Sequence, residues 1–179
     1  SGQKPPVGME MQLAGLYLGR GDAQKAYPIY QDVLRQEPNL ADAWAELLTA
    51  MHIAGKDKEA VEQVALIPEQ ARVQLNTNLS YLRTMGAVYA KLGQSREAEI
   101  FLNHVEQIYA AQHSAAPADV AIQNAWVLYN GMDDSGLYRQ LMSLGARGDL
   151  TGEQRRTVQT IWTNWAVRRA NQAAAAGDS

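Results

Sequence analysis

Apolar and small residues return along this chain at a long interval. Tyr17, Gly21, Ala26, Tyr30 and Pro38 form one block. A step of 34 residues carries Gly21, Ala26 and Tyr30 onto Gly55, Ala60 and Val64, and a further step of 38 carries these onto Gly93, Ala98 and Leu102. Tyr17 and Tyr89 stand four residues before their glycines, and Met51 takes that place in the middle copy. Such periods mark a repeated supersecondary unit. Each block predicts two antiparallel helices. The glycine ends the first, because a left-handed cap costs little without a side chain. The alanine lets the second approach closely, and the Tyr or Met fills the space between them. Pro38 stops the second helix of the first hairpin, since proline has no N–H for the ladder.

The period slips at Val64-Ala65-Leu66-Ile67-Pro68, where the second hairpin ends early. The four extra residues of the longer step fall within residues 69–78, and residues 69–75 can add a short helix there. After Ala116-Pro117 the block weakens, yet helical spacing continues: Val120, Ala121, Ala125, Leu128 and Tyr129 share one face. Asn130-Gly131 ends this helix, and Leu137, Leu141, Met142 and Leu144 predict its partner, closed by Gly145. Thr151-Gly152-Glu153-Gln154 has the capping-box pattern. The long helix that follows runs to Ala176, with Val158, Ile161, Trp162, Trp165 and Arg169 on one side. Gly177-Asp178-Ser179 resembles the Gly21-Asp22-Ala23 turn, so a further helix is expected beyond it.

Three regions follow. Residues 1–6 read as a cloning remnant or linker, because Ser1-Gly2 does not look like a native start and the first methionine is Met9. Residues 7–116 hold three repeats with an insertion near 68–78. Residues 117–179 hold a degenerate helical hairpin and a long helix beginning a further repeat. Repeat arrays need capped ends, so the chain is expected to be a piece of a longer protein.

The Tyr-x3-Gly-x4-Ala blocks, with Trp44 at the aromatic position that opens a unit, resemble the tetratricopeptide repeat family over residues 7 to about 112. The resemblance implies an all-α fold, a tetratricopeptide-type α-solenoid of antiparallel helical hairpins. It also implies a protein that holds partners. In that family the groove is lined by the first helix of each hairpin. By position this gives Asp42, Glu46, Thr49 and His52 from the second unit, and Arg83, Ala87 and Lys91 from the third. The chaperone-binding subclass grips a peptide carboxylate with Lys and Asn at set positions. Residues such as Gly15 and Thr49 occupy those slots here, so that clamp is absent. Pro68 is a candidate hinge.

Composition changes this picture little. Hydrophobic residues make up 46%, enough for a core, and charged residues at 20% balance to a net −3. That balance disfavours nucleic acid as a partner. With no cysteine, disulfide frameworks, thiolate metal sites and cysteine nucleophiles are excluded. No apolar run approaches the roughly 20 residues that span a bilayer, so the chain itself is expected outside the membrane.

Candidate chemistry is sparse. His52, His104 and His113 are not spaced as metal ligands. No Gly-x-Ser-x-Gly elbow occurs, and Gly145-Ala146-Arg147-Gly148 reads as a helix-ending loop. Asp133-Asp134 fits helix capping better than a pair of carboxylates facing across a cleft. Trp162 and Trp165 beside Arg155, Arg156, Arg168 and Arg169 could stack on sugars. Because they share a face with Val158 and Ile161, burial with a solvated arginine rim is the simpler expectation. No enzyme activity, catalytic residue, metal or cofactor is expected.

The distal half carries a more specific likeness. The runs 122–130, 137–142, 149–151 and 156–162, together with Leu47-Leu48-Thr49-Ala50-Met51-His52 and Ile67-Pro68, resemble the periplasmic and outer-membrane export component of bacterial cellulose synthase. That family serves cellulose secretion, with repeats in the periplasm ahead of an outer-membrane barrel. The resemblance implies a non-catalytic periplasmic scaffold linking the inner-membrane synthase to the export pore. Its partners would be other components of the cellulose synthase complex or of the cell envelope. The glucan chain is a further candidate, through Trp44, Trp126, Trp162 and Trp165. A cytoplasmic peptide-binding adaptor is the alternative, and an α-helical carbohydrate hydrolase a third.

Overall fold

The computed structural model describes residues 2–177. Among them every regular element is a helix: α1 Val7–Gly19, α2 Ala23–Gln36, α3 Ala41–Ile53, α4 Asp57–Val64, α5 Glu69–Leu75, α6 Leu79–Lys91, α7 Ser95–Ala111, α8 Ala118–Asn130, α9 Asp134–Gly145 and α10 Gly152–Gly177. Ser1 of the expected remnant, and Asp178-Ser179 of the expected last turn, lie outside the described residues. The chain divides into two compact units between Phe101 and Leu102, within α7.

In the first unit the repeated glycines act as the sequence predicts. Gly21, Gly55 and Gly93 have φ of +79°, +75° and +74°. One bond closes each turn, from the N–H of the next residue to a carbonyl five positions back. Asp22 donates to Tyr17 O at 2.9 Å, Lys56 to Met51 O at 2.8 Å and Gln94 to Tyr89 O at 2.9 Å. Ala26, Ala60 and Ala98 are each 0% exposed, as their helix-contact role demands. Successive hairpins stack: α2 packs on α3, and α4 on α6. α2 stops at Gln36, ahead of Pro38, and the Trp44 indole N–H donates to Pro38 O at 2.8 Å. The short helix expected at 69–75 is α5, which buries Ala71 and Leu75 and packs on α3.

In the second unit α10 packs on the α8–α9 hairpin. Leu128, Leu137, Leu141, Leu144, Val158 and Ile161 form the core. Met142, expected on the apolar face, is exposed, because it lies about 100° around the helix from Leu141. The α8–α9 turn uses the same closure, Asp133 N–H to Leu128 O at 3.1 Å. Its left-handed residue is Met132, at φ +61°, rather than Gly131. Asp133 caps α9 by accepting from the Gly136 N–H at 2.9 Å. A Cβ at Gly136 would stand 2.3 Å from Asp133 Oδ2, so a side chain there would make the Asp133 carboxylate shift from its present position. The capping box forms at α10: Thr151 N–H donates to Gln154 Oε1 at 2.9 Å, and Gln154 N–H to Thr151 Oγ1 at 3.1 Å.

Candidate functional site

α3 and α6 are neighbouring first helices in the first unit. Spacings of three and four residues align Asp42, Glu46 and Thr49 on α3, and Arg83, Ala87 and Lys91 on α6. Asp42 and Lys91 are exposed; Glu46, Thr49, His52 and Arg83 are half-buried. Thr49 Oγ1 donates to Ala45 O at 2.9 Å and lies 2.8 Å from Thr84 Oγ1. A hydroxyl has one proton, so Thr84 donates across the helix pair and fixes α3 against α6.

The other candidates turn elsewhere. Glu46 accepts from the Tyr30 hydroxyl of α2 at 3.4 Å. Burial first, and the Glu46 charge second, push the Tyr30 hydroxyl far above its ordinary range, so it stays a donor. His52 pairs through Nδ1 with Asp57, the buried first residue of α4. That contact closes its own hairpin. Thr49 therefore lies at a fixed contact between α3 and α6, while Asp42 and Lys91 reach solvent.

Pro68 sits between α4 and α5. Arg72 reaches back from α5 to cap the carbonyls exposed where α4 ends. Its Nε donates to Ile67 O at 2.8 Å, and its terminal nitrogen to Val64 O and Ala65 O at 3.3 Å each. Nothing in the linear order singled out this arginine.

The second unit holds two polar clusters. Asp134 accepts from Trp165 Nε1 at 2.8 Å, from Arg168 at 3.0 Å and from Arg169 at 3.4 Å. The Trp165 hydrogen bond, helped by the two guanidinium groups, holds its carboxyl below the usual range. Arg168 also donates to Tyr129 O at 2.6 Å and lies 4.2 Å from the Tyr129 ring centre. Its side chain is only 16% exposed, which corrects the expectation of a solvated arginine rim at this position, while Arg155, Arg156 and Arg169 are exposed as expected. Trp162 and Trp165 are half-buried. A hollow of about 520 Å³ beside this cluster is lined by Tyr129, Asn164, Val167, Arg168, Asn171 and Gln172. In the second cluster, Gln140 Nε2 donates to Glu106 Oε1 at 2.6 Å and to Ala121 O at 3.0 Å. Burial pushes the Glu106 carboxyl up. Both clusters join helices of one unit. Among the described residues, no group of three or more His, Asp and Glu could hold a metal ion. No described helix is long and apolar enough to cross a membrane.

Residues 17–83 match the tetratricopeptide repeat family. The fold is a tetratricopeptide-type α-solenoid. Two solved structures share it. A Podosopora anserina protein provisionally named a kinesin light chain, with nearly identical tetratricopeptide-like repeats, superposes with a TM-score of 0.71, covering 96% of this chain and 93% of that one at 16% identity. A variant of it gives 0.70 over 93% and 90%, also at 16% identity. A protein of Escherichia coli O157:H7, provisionally named cellulose synthase operon protein C, is 33% identical over 101 residues. This bears out the sequence's resemblance to that family's repeat region. The matched stretch is 56% of this chain and 8% of that protein. Tetratricopeptide arrays are typically protein-interaction scaffolds.

Proposed function

We propose that the chain is a non-catalytic, periplasmic scaffold segment of a bacterial cellulose secretion complex, linking the inner-membrane synthase to the outer-membrane pore by protein–protein contacts. The observation that supports this most is the joining of two features in one chain. Thr49 and Thr84 bond α3 to α6, the two helices that also carry Asp42, Arg83 and Lys91, and the chain's likeness is to a cellulose synthase operon protein. A preset polar face of this kind suits an extended partner segment, because few of its groups must be ordered on binding. A pull-down from cellulose-producing cells tests it. Recovery of a synthase or envelope component is expected, and recovery of neither sinks the scaffold reading.

The glucan chain belongs to the proposal in a narrower form. Trp44 is in the core and its N–H is used. Trp126 and Tyr129 pack edge to face at 5.8 Å, and the Tyr129 hollow adds Asn164, Asn171 and Gln172. An aromatic face with side-chain amides suits a polyhydroxylated chain. Cello-oligosaccharides should change tryptophan fluorescence, and the change should vanish in Trp126→Ala. Unchanged fluorescence in the parent chain rules the contact out.

The break at Pro68 is the proposed place where the array changes direction. Arg72→Ala removes the cap and should speed hydrogen exchange at residues 64–68. Unaltered exchange there would count against a joint governed by this cap.

A further inference from the structure

The first helix carries an apolar stripe with no cover. Met9, Leu13 and Leu16 lie four and three residues apart on α1 and are 61%, 45% and 60% exposed. Stripes of this spacing face one direction. The repeat register identifies this one. A shift of 34 residues maps it to Ala43, Leu47 and Ala50, which are 0%, 1% and 0% exposed. A shift of 72 maps it to Tyr81, Met85 and Val88, also buried. The turn closures pair Tyr17 with Leu128, and that shift of 111 gives Val120, Asn124 and Val127, buried again.

In the first unit the cover is visible. α2, the second helix of the preceding hairpin, packs on α3, and α4 packs on α6. The chain also enters α1 as it enters the other first helices. Pro6 O accepts from the N–H groups of Met9 and Glu10 at 2.9 and 3.1 Å. Leu40 O accepts from Ala43 and Trp44 at 3.1 and 3.3 Å, and Pro117 O from Val120 and Ala121 at 3.0 and 3.1 Å.

We infer that Met9, Leu13 and Leu16 form a stacking face for the second helix of a further hairpin that precedes this one in the same natural polypeptide. The occupant is an amphipathic helix with a face like that of Tyr30, Val33 and Leu34 on α2. The relative matched above has most of its length outside the matched stretch, so chain of this kind has room for such a hairpin. The inference does not depend on the cellulose role, since it rests on the register of four equivalent stripes and the burial of three of them.

The absence of cysteine makes the test clean. Leu16→Cys, Ala50→Cys as a covered reference and Glu59→Cys as an exposed reference are labelled with a maleimide, and peptide mass spectrometry reads each site. The variants are made in this 179-residue chain and in the full natural polypeptide. In the short chain Leu16→Cys should label at the rate of Glu59→Cys. In the full polypeptide it should label at least ~100-fold more slowly, near the rate of Ala50→Cys, because a covered thiol reacts only through local opening. Labelling of Leu16→Cys at the exposed rate in the full polypeptide overturns the inference. So does protection that appears in the short chain alone as its concentration and measured mass rise, which would give the face to a second copy.

Discussion

The α1–α2 and α8–α9 hairpins have the same backbone turn and very different sequences. The first marks it with Gly21 in the left-handed region and Ala26 at the helix contact. The second has Met132 and Leu137 at those places. Both close with an N–H to the carbonyl five residues back, at 2.9 and 3.1 Å. The hairpin is therefore set by backbone closure and burial. Glycine lowers the cost of the turn and alanine sizes the contact, but neither is required. α10 and its polar clasp support the second hairpin where sequence economy is missing.

The largest test of this contrast is at the helix contact. Leu137 is 0% exposed, so Leu137→Ala should destabilise the second unit by about 2–5 kcal/mol. At the equivalent Ala60, also 0% exposed, Ala60→Leu should overpack the first unit and cost about 1–3 kcal/mol. Denaturant melts read by hydrogen exchange would assign each loss to its unit. Little effect from either would mean that the two slots are not equivalent.

A smaller effect is expected at the clasp. Arg168→Met removes the charge-assisted bond to Asp134 while keeping the side chain's length, and should loosen α10 by about 1–2 kcal/mol. Hydrogen exchange along residues 160–175 reads it. Unchanged protection would show that packing alone holds α10.

At the turn itself the signs should oppose. Met132→Gly relieves a left-handed side chain and should stabilise by about 0.5–1 kcal/mol, after the entropy cost of glycine. Gly93→Ala introduces such a side chain and should destabilise by about 1 kcal/mol. Two changes of the same sign would refute the shared turn.

The smallest effect is in pH dependence. Burial raises the Glu106 pKa, so its contribution is full below the ordinary glutamate range and is lost as pH rises through the raised value. Glu106→Gln keeps an acceptor for Gln140 and should remove that loss. Asp134 is depressed, so its contribution is present at neutral pH and lost as pH falls through its folded value. Stability curves between about pH 3 and 7 separate the two. A Glu106→Gln curve parallel to that of the parent would contradict the first assignment.

These contrasts show what the sequence could disclose. Gly21, Gly55 and Gly93 with Ala26, Ala60 and Ala98 are local requirements, so they repeat visibly. In the fourth hairpin Gly131 and Gly136 copy the spacing of Gly21 and Ala26 but stand one residue off the true register. The Asp133 carboxylate caps α9 against the bare Cα of Gly136, and the left-handed site falls to Met132. The candidate site was legible only as stripes on α3 and α6. Thr84's bond to Thr49, Glu46's turn toward Tyr30 and Arg168's burial on Tyr129 come from tertiary packing and leave no periodic trace. Arg72 likewise stands in a short helix with no marker of its capping role.

The scaffold claim is tested most directly by placing a photo-crosslinking residue at Arg83 of α6, next in sequence to the Thr84 that bonds Thr49 of α3, in the natural protein inside cellulose-producing cells. The account predicts a crosslink to another component of the cellulose machinery, absent from the same label at exposed Glu59. Crosslinks that are missing at Arg83, or identical at the two positions, would contradict a binding role for this face.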